Sequence, residues 1–356
     1  MSITTSARRK LEMVASVTVA CTISGFLYPY FFQTQPSTAY LWHAMFNGLT
    51  IGFVIGLAIS VAELWYFQRH GRRLRFSVYL TVQTLFYIAV INVSLIGVMT
   101  FHMVLFHDNT FPQAFQSYEV QRYLQSNESF KVNAYALIVI FSMNFLRQIN
   151  RMLGQNALLN FITGKYHKPV EEERVFMFLD LKDSTGIAER LGHKRYHQFL
   201  DDFFFDITPS IVESRGEIYQ YVGDEVVVTW TRQRGLHRAE CISCYFRIAA
   251  AIARVSDRYE RRYGFIPTFK AGYHYGQVTT GLIGDIKRDI VFHGDTVNTA
   301  SRIRSECSVV NRDLLLSQDL LQHLSISSYL TPESMGKIRL RGKEEEVELF
   351  SIREAA

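Results

Sequence analysis

The chain is poor in the residues that staple secreted domains or build zinc sites. Its 356 residues include four cysteines, Cys21, Cys241, Cys244 and Cys307, and the Cys241-x-x-Cys244 pair has no second ligand pair to close a tetrahedral site. Two core-facing thiols in a reducing compartment are expected instead. No DNA- or RNA-reading motif accompanies the net charge of +5, so nucleic acid is not an expected partner. The basic residues gather in short clusters beside apolar runs, where they set membrane orientation. Inverted repeats and broken polar helices are missing, which argues against a transporter. No small-residue cleavage site follows the first apolar run, because residues 26–32 are largely aromatic, so that run does not read as a signal peptide.

What is present falls into two unlike halves. Up to about Asn150 the chain is dominated by long apolar runs, and from about Glu171 charged and apolar residues alternate as in a soluble domain. Four stretches, at about 11–32, 41–67, 78–106 and a shorter one at 132–145, approach the length needed to cross about 30 Å of hydrocarbon. Arg8-Arg9-Lys10 precedes the first, a cluster running from Arg69 to Arg75 joins the second to the third, and Arg147 and Arg151 follow the fourth. The connection at 33–39 has no charge, and the one after the third span carries Asp108, Glu119 and Glu128. The pattern predicts a multi-pass protein of the cell (inner) membrane, surrounded by lipid, with both termini and the soluble half in the cytoplasm.

Three histidines, His43, His102 and His107, fall near the outer ends of the second and third spans. Imidazoles converging at one depth are candidate ligands for a haem or other metal, or a device that titrates with external pH. The alternative is interfacial hydrogen bonding beside Tyr40 and Trp42. Glu63, near the inner end of the second span, is expected to snorkel to the interface. Residues 147–164 show apolar positions at helical spacing, ending at Gly164, and predict a helical linker. The expected division is 1–146 for a four-helix transmembrane domain, 147–172 for the linker and 173–356 for the soluble domain.

The soluble half opens on Arg174-Val-Phe-Met-Phe-Leu-Asp-Leu181, a buried-strand pattern with Asp180 near its end. Two β-rich runs between Glu217 and Trp230 flank Gly223-Asp224, a hairpin with an acid at its turn. Side by side, Asp180 and Asp224 form the minimum for holding divalent cations over a triphosphate. Asp183 is placed to cap the next helix, and Glu225 is expected to face solvent or a dimer partner. Farther on, Asn298 and Arg302 are four apart and share a helix face. An amide and a guanidinium pointing one way suit a ribose and a phosphoryl group in transfer. Taken alone, that element reads equally well as a surface helix whose arginine pairs with an acid.

Phe178-Leu-Asp180, Tyr221-Val-Gly-Asp224 and Gly294-Asp-Thr-Val-Asn298-Thr-Ala-Ser-Arg302, in this order and spacing, resemble the class III nucleotidyl (adenylyl/guanylyl) cyclase catalytic domain of the bacterial membrane-anchored type. The likeness covers about residues 174–352. It implies an α+β fold, a ferredoxin-like βαββαβ core preceded here by the all-α four-helix transmembrane domain, and head-to-tail homodimers with active sites at the interface. The implied activity is a lyase of signal transduction, adenylate cyclase, turning ATP into 3′,5′-cyclic AMP and pyrophosphate. By the same resemblance Asp180 and Asp224 would hold two Mg²⁺ or Mn²⁺ ions per site. Asn298 would orient the ribose and Arg302 would stabilise transition-state charge, both from the opposite subunit. Arg341, and after it Lys343, would meet the terminal phosphates.

The departure lies at the base pocket. Where the family often reads adenine with a lysine and an aspartate or threonine, this chain has Gln220 and Val291. The alternatives are therefore a guanylate or other nucleotide cyclase or, in a different class, a catalytically silent membrane receptor or scaffold. A diguanylate cyclase is excluded by Val222-Gly-Asp-Glu-Val226 in place of that family's Gly-Gly-acidic-acidic-Phe hairpin.

Overall fold

A computed structural model describes residues 5–32, 38–67, 76–106, 110–125, 127–154, 157–325 and 330–354. The chain divides into two compact units, Met1–Ile149 and Asn150–Ala356. The first is all helical: α1 (Thr5–Phe32), α2 (Thr38–Ala62) running into a π-helical turn (Glu63–Phe67), α3 (Phe76–Phe106), the short α4 (Phe111–Phe115) and α5 (Tyr118–Gln125), and α6 (Asn127–Leu153). Four of these are long and apolar enough to cross a membrane, over Met13–Phe31, Ala44–Tyr66, Ser77–Phe101 and Ser129–Leu146. The fourth is longer than the apolar core at 132–145 suggested, because the polar residues before it join the same helix.

Gly48, Gly52 and Gly56 recur every fourth residue of α2 and bring its backbone against α1. A Cβ on Gly48 would stand 2.1 Å from the Gly25 carbonyl oxygen, and one on Gly56 2.6 Å from the Thr18 Cα. Small residues at this spacing are how helices pack where apolar burial gives no preference. The four long helices also wall a mostly apolar cavity of about 480 Å³. Glu63 does not snorkel: it is buried, accepting from Gln83 Nε2 at 2.9 Å and from the Tyr87 hydroxyl. The α2 chain turns into its π-helical segment at Glu63, which directs the carboxylate toward α3. The side chains of His43 and His102 and all of His107 lie outside the described residues, as do residues 69–75 and the side chains of Arg8, Arg9, Lys10, Arg147 and Arg151.

The predicted single linker helix is two. α6 ends at Leu153, Gly154 takes φ +88°, and α7 (Ala157–Ile162) precedes Gly164 at φ +68°. Two glycines in the left-handed region, where other residues are strained, account for the break and the stop.

The second unit is a mixed sheet with helices. In order it contains β1 (Val170–Leu181), α8 (Ser184–Leu191), α9 (His193–Glu213), β2 (Glu217–Val222), β3 (Glu225–Thr231), the short α10 (Arg232–Leu236), α11 (Glu240–Arg254) and α12 (Ser256–Tyr263). These are followed by β4 (Phe269–Ile283), β5 (Asp289–His293), α13 (Asp295–Val309), β6 (Leu314–Ser317), α14 (Gln318–His323), β7 (Leu330–Ile338) and β8 (Val347–Glu354). The strand order is β2-β3-β1-β4-β6-β8-β7, with β5 folded back on β4. β1 is antiparallel to both β3 and β4, so the first four strands and their crossover helices form a ferredoxin-like βαββαβ core. Alternate residues of β1 face opposite sides. Val175, Met177 and Leu179 are buried in the larger core with Phe199, Phe203 and Ile207 of α9 and Ile242 and Ile248 of α11. Cys241 and Cys244 are buried there too, and burial pushes the Cys244 thiol up to about 12. Phe176 and Phe178 face the other side, in a smaller core with Val227, Val278 and Ala300 of α13.

Candidate active site

The face of β1 that carries Phe176 and Phe178 also carries Asp180 at its end. On β4, Gly272 pairs with Phe178 and Gly276 with Arg174. A Cβ on Gly272 would fall 2.2 Å from the Arg304 backbone nitrogen, and one on Gly276 2.6 Å from Thr296 Oγ1. Helix α13 therefore rests directly on the sheet, and its approach brings Arg304 over Asp180.

Asp180 pairs in register with Glu225 of β3 on one side and Lys270 of β4 on the other. Arg304 Nη1 stands 3.1 Å from Asp180 Oδ2, and Lys270 Nζ is 3.5 Å from the same oxygen. Arg304 Nε lies 2.8 Å from Glu225 Oε2 but is aimed off it, so the pair is close without an aligned hydrogen bond. The β2–β3 turn, with Gly223 at φ +64°, sets Asp224 next to Glu225, the in-register partner of Asp180, so that Asp180 and Asp224 are electrostatic neighbours. Burial raises the Asp180 pKa, Arg304 opposes that, and the contact with Asp224 and its charge raise it further. Glu225 is likewise raised, by burial first and then by its acidic neighbours, against the pull of Arg304.

Two expectations are corrected here. Glu225 does not face solvent: it is 8% exposed, because its register opposite Asp180 turns it under α13. Asp183 occupies the N-cap position of α8 but makes no capping hydrogen bond. Its φ of 53° is left-handed, and its carboxylate lies against Gly186.

The donor set suits a hard divalent cation, for which carboxylate oxygen is the preferred ligand. Asp180, Asp224 and Glu225 are three acids against the two cations Arg304 and Lys270, an excess of one negative charge. Among the described residues no three His, Cys, Asp or Glu side chains converge on one metal position. Asp180 and Asp224 thus offer a pair of carboxylates, and a cation held there would complete its shell with backbone, water or substrate oxygens.

The other candidates gather farther along α13 and the loop it touches. Asn298 is exposed and Arg302 half-buried one turn later. The Arg302 guanidinium sits against Gly342 of the β7–β8 loop, 3.5 Å from where a Cβ would stand. Lys343 Nζ is 2.7 Å from Asp295 Oδ2 at the start of α13, and Arg341, two residues earlier in the same loop, is exposed. Within one chain, then, Arg304 and not Arg302 faces the acid pair. Gln220 is exposed on β2, and Val291 is half-buried on β5. Their neighbours Tyr219 and Phe292 touch edge to face with ring centroids 4.9 Å apart, so both base-pocket candidates border one small core. Glu225, Lys270, Asp295 and Arg304 went unrecognised as site residues in the sequence. The strand register and the seat of α13 assemble them, and no local motif carries either.

Over residues 166–354 the chain matches the family described as the adenylate and guanylate cyclase catalytic domain. It is 36% identical over 224 residues to adenylate cyclase 2 of Rhizobium meliloti, covering 63% of this chain and 62% of that protein, so it spans less than two thirds of that relative's length. To the membrane guanylyl cyclase of Dictyostelium discoideum it is 26% identical over 200 residues, covering 54% of this chain and 12% of that one. A bacterial light-regulated adenylyl cyclase of known structure superposes with a TM-score of 0.55 at 18% identity, covering 65% of this chain and 68% of that one.

Proposed function

The chain belongs to the adenylate and guanylate cyclase family, and from that premise we propose that it converts ATP into 3′,5′-cyclic AMP and pyrophosphate at sites shared by two copies of itself. The observation that carries this reading is the Asp180–Asp224 pair, two acids that the strand register and the β2–β3 turn bring together at the end of a buried strand with an excess of negative charge around them. In this reading the pair would hold two Mg²⁺ or Mn²⁺ ions, whose charge would favour loss of the ribose 3′-hydroxyl proton and stabilise the departing pyrophosphate. Asn298 orients the ribose through its amide. Arg302 offsets the charge that builds at the α-phosphate as the 3′-oxygen attacks it and the bond to pyrophosphate breaks. Arg341 binds the terminal phosphates, and Lys343 reaches them on leaving Asp295.

Sharing between subunits is supported by where the arginines lie. Arg302 rests against Gly342, and the guanidinium that meets Asp180 within the chain is that of Arg304, so a second copy is the natural source of the Arg302 that serves each acid pair. Because one chain carries both halves, a symmetric homodimer has two complete sites. The division into residues 1–146 as a membrane domain, 147–172 as a linker and 173–356 as the catalytic domain is part of the same proposal. So is a cytoplasmic placement of both termini, which rests on the basic clusters beside the spans. Adenine is favoured by the likeness to adenylate cyclase 2. The test is cyclic-nucleotide assay of the full chain with Mn²⁺ and each of ATP, GTP, CTP and UTP. Cyclic AMP as the main product is expected. Cyclic GMP would move the substrate to GTP and leave the mechanism standing, and no cyclic product from any nucleotide would favour a silent receptor.

A further inference from the structure

Arg304 reaches Asp180 because of its backbone and not its own flexibility. Gly272 seats the α13 backbone at Arg304 on the sheet, so the guanidinium emerges within reach of both acids of the β1–β3 register. There it meets the single oxygen Asp180 Oδ2, which Lys270 also contacts. A metal ion bound through that carboxylate would lie a few ångströms from the Arg304 guanidinium, and the repulsion between the two cations drives Nη1 away from Asp180. Glu225 offers the place to withdraw to. Its Oε2 is already 2.8 Å from Nε, with the N–H aimed off it, so a small rotation of the side chain trades the Asp180 contact for an aligned one to Glu225. Arg304 is 23% exposed, so the movement is not locked by surrounding atoms.

We propose that Arg304 is a resident counter-cation of the catalytic carboxylates, which occupies Asp180 when no metal is bound, is received by Glu225 when one binds, and so holds metal affinity below what the acids alone would give. This rests on the reading of Asp180 and Asp224 as metal ligands. Arg304 acts through Asp180, so it is a positioning residue. Its removal leaves three acids with Lys270 alone. A unit charge a few ångströms from a divalent ion at an effective dielectric near 20 opposes binding by far more than tenfold, and solvent screening at the partly exposed guanidinium leaves at least about tenfold in affinity.

The experiment is direct titration of the full chain with Mn²⁺ alone, counting free ion by its six-line paramagnetic resonance signal, with circular dichroism to certify folding. Arg304→Met and Arg304→Gln are expected to bind Mn²⁺ about tenfold more tightly than the unaltered chain or better. Arg304→Lys, which keeps the charge, should stay close to it. Asp180→Ala separates the two claims. If it binds Mn²⁺ as well as the unaltered chain does, the metal reading has failed. If it loses Mn²⁺ while the folded Met and Gln variants bind equally or less tightly than the unaltered chain, the Arg304 inference has failed alone. Unfolding of both variants would also overturn it, by making the pair a structural strut.

Discussion

Arg174 and Asp180 lie on the same face of β1, six residues and roughly 20 Å apart, and both are buried. At Arg174 every charge is answered. Its guanidinium is 3.0 Å from Glu172 and 3.0 Å from Glu217, and the Phe292 ring covers it at 4.7 Å. Glu217 also takes Arg234 at 3.0 Å, and Glu172 takes the Thr280 hydroxyl at 2.6 Å. Burial alone would raise the Glu172 pKa, but Thr280 and Arg174 outweigh it and leave the group below its ordinary value. At Asp180 three acids face two cations, and both Asp180 and Glu225 end above theirs. A buried charge is therefore no sign of function by itself. An excess of one sign, held in place by strands and a helix that cannot move apart, is.

That contrast is open to being broken, and the largest effects lie in exchanging the two ends. Asp180→Ala should cost at least about a thousandfold in cyclic-nucleotide formation, about 4 kcal/mol of barrier, with little loss of thermal stability. Arg174→Ala should do the reverse. Leaving half-buried Glu172 without its guanidinium partner, while Glu217 keeps Arg234, costs about 1–3 kcal/mol of stability, while turnover per folded molecule stays within a few-fold. Equal activity losses in both would dissolve the distinction.

A smaller effect is expected at the hinge between the two ends. Gly272→Ala forces α13 off the sheet at Arg304, at about 1–3 kcal/mol of stability, and should lower activity beyond the loss of folded protein. The smallest pair carries opposite signs. Glu172 is depressed in the folded state, so it contributes stability above its unfolded pKa that is lost as pH falls through the folded one. Glu172→Gln should thus cost about 1 kcal/mol at pH 7 and much less at pH 3. Asp180 is raised, so its ionisation opposes folding once pH passes the unfolded value. Asp180→Asn should accordingly raise the metal-free melting temperature slightly at pH 7 while abolishing activity, a trade expected of functional sites.

The sequence made much of this legible. Asp180 and Asp224 stand out because a strand end and a glycine turn are local signals, and Asn298 with Arg302 because helical spacing is. The partners were hidden for a physical reason. Glu225 and Lys270 flank Asp180 only once the registers of β3 and β4 are set, and Arg304 reaches it only because Gly272 and Gly276 lower a helix onto them. Lys343 looked free for phosphate and is held by Asp295, a contact between segments almost fifty residues apart. The linker was misjudged for the opposite cause. Gly154 was visible inside an otherwise helical pattern, but apolar periodicity continued on both sides and masked the break. Glu63 was read by its distance from a span end, whereas its partners on α3 decide where it points.

The most direct test of a site shared between subunits is complementation in the full chain. Asp180→Ala and Arg302→Ala proteins are assayed separately with Mn²⁺ and ATP, then mixed in equal amounts and allowed to exchange subunits. Each alone should be nearly silent, and the mixture should recover cyclic AMP formation, because one mixed interface holds an intact acid pair facing an intact Arg302. No recovery, with subunit exchange verified, would place the acids and the arginine of one chain in the same site and contradict the shared arrangement.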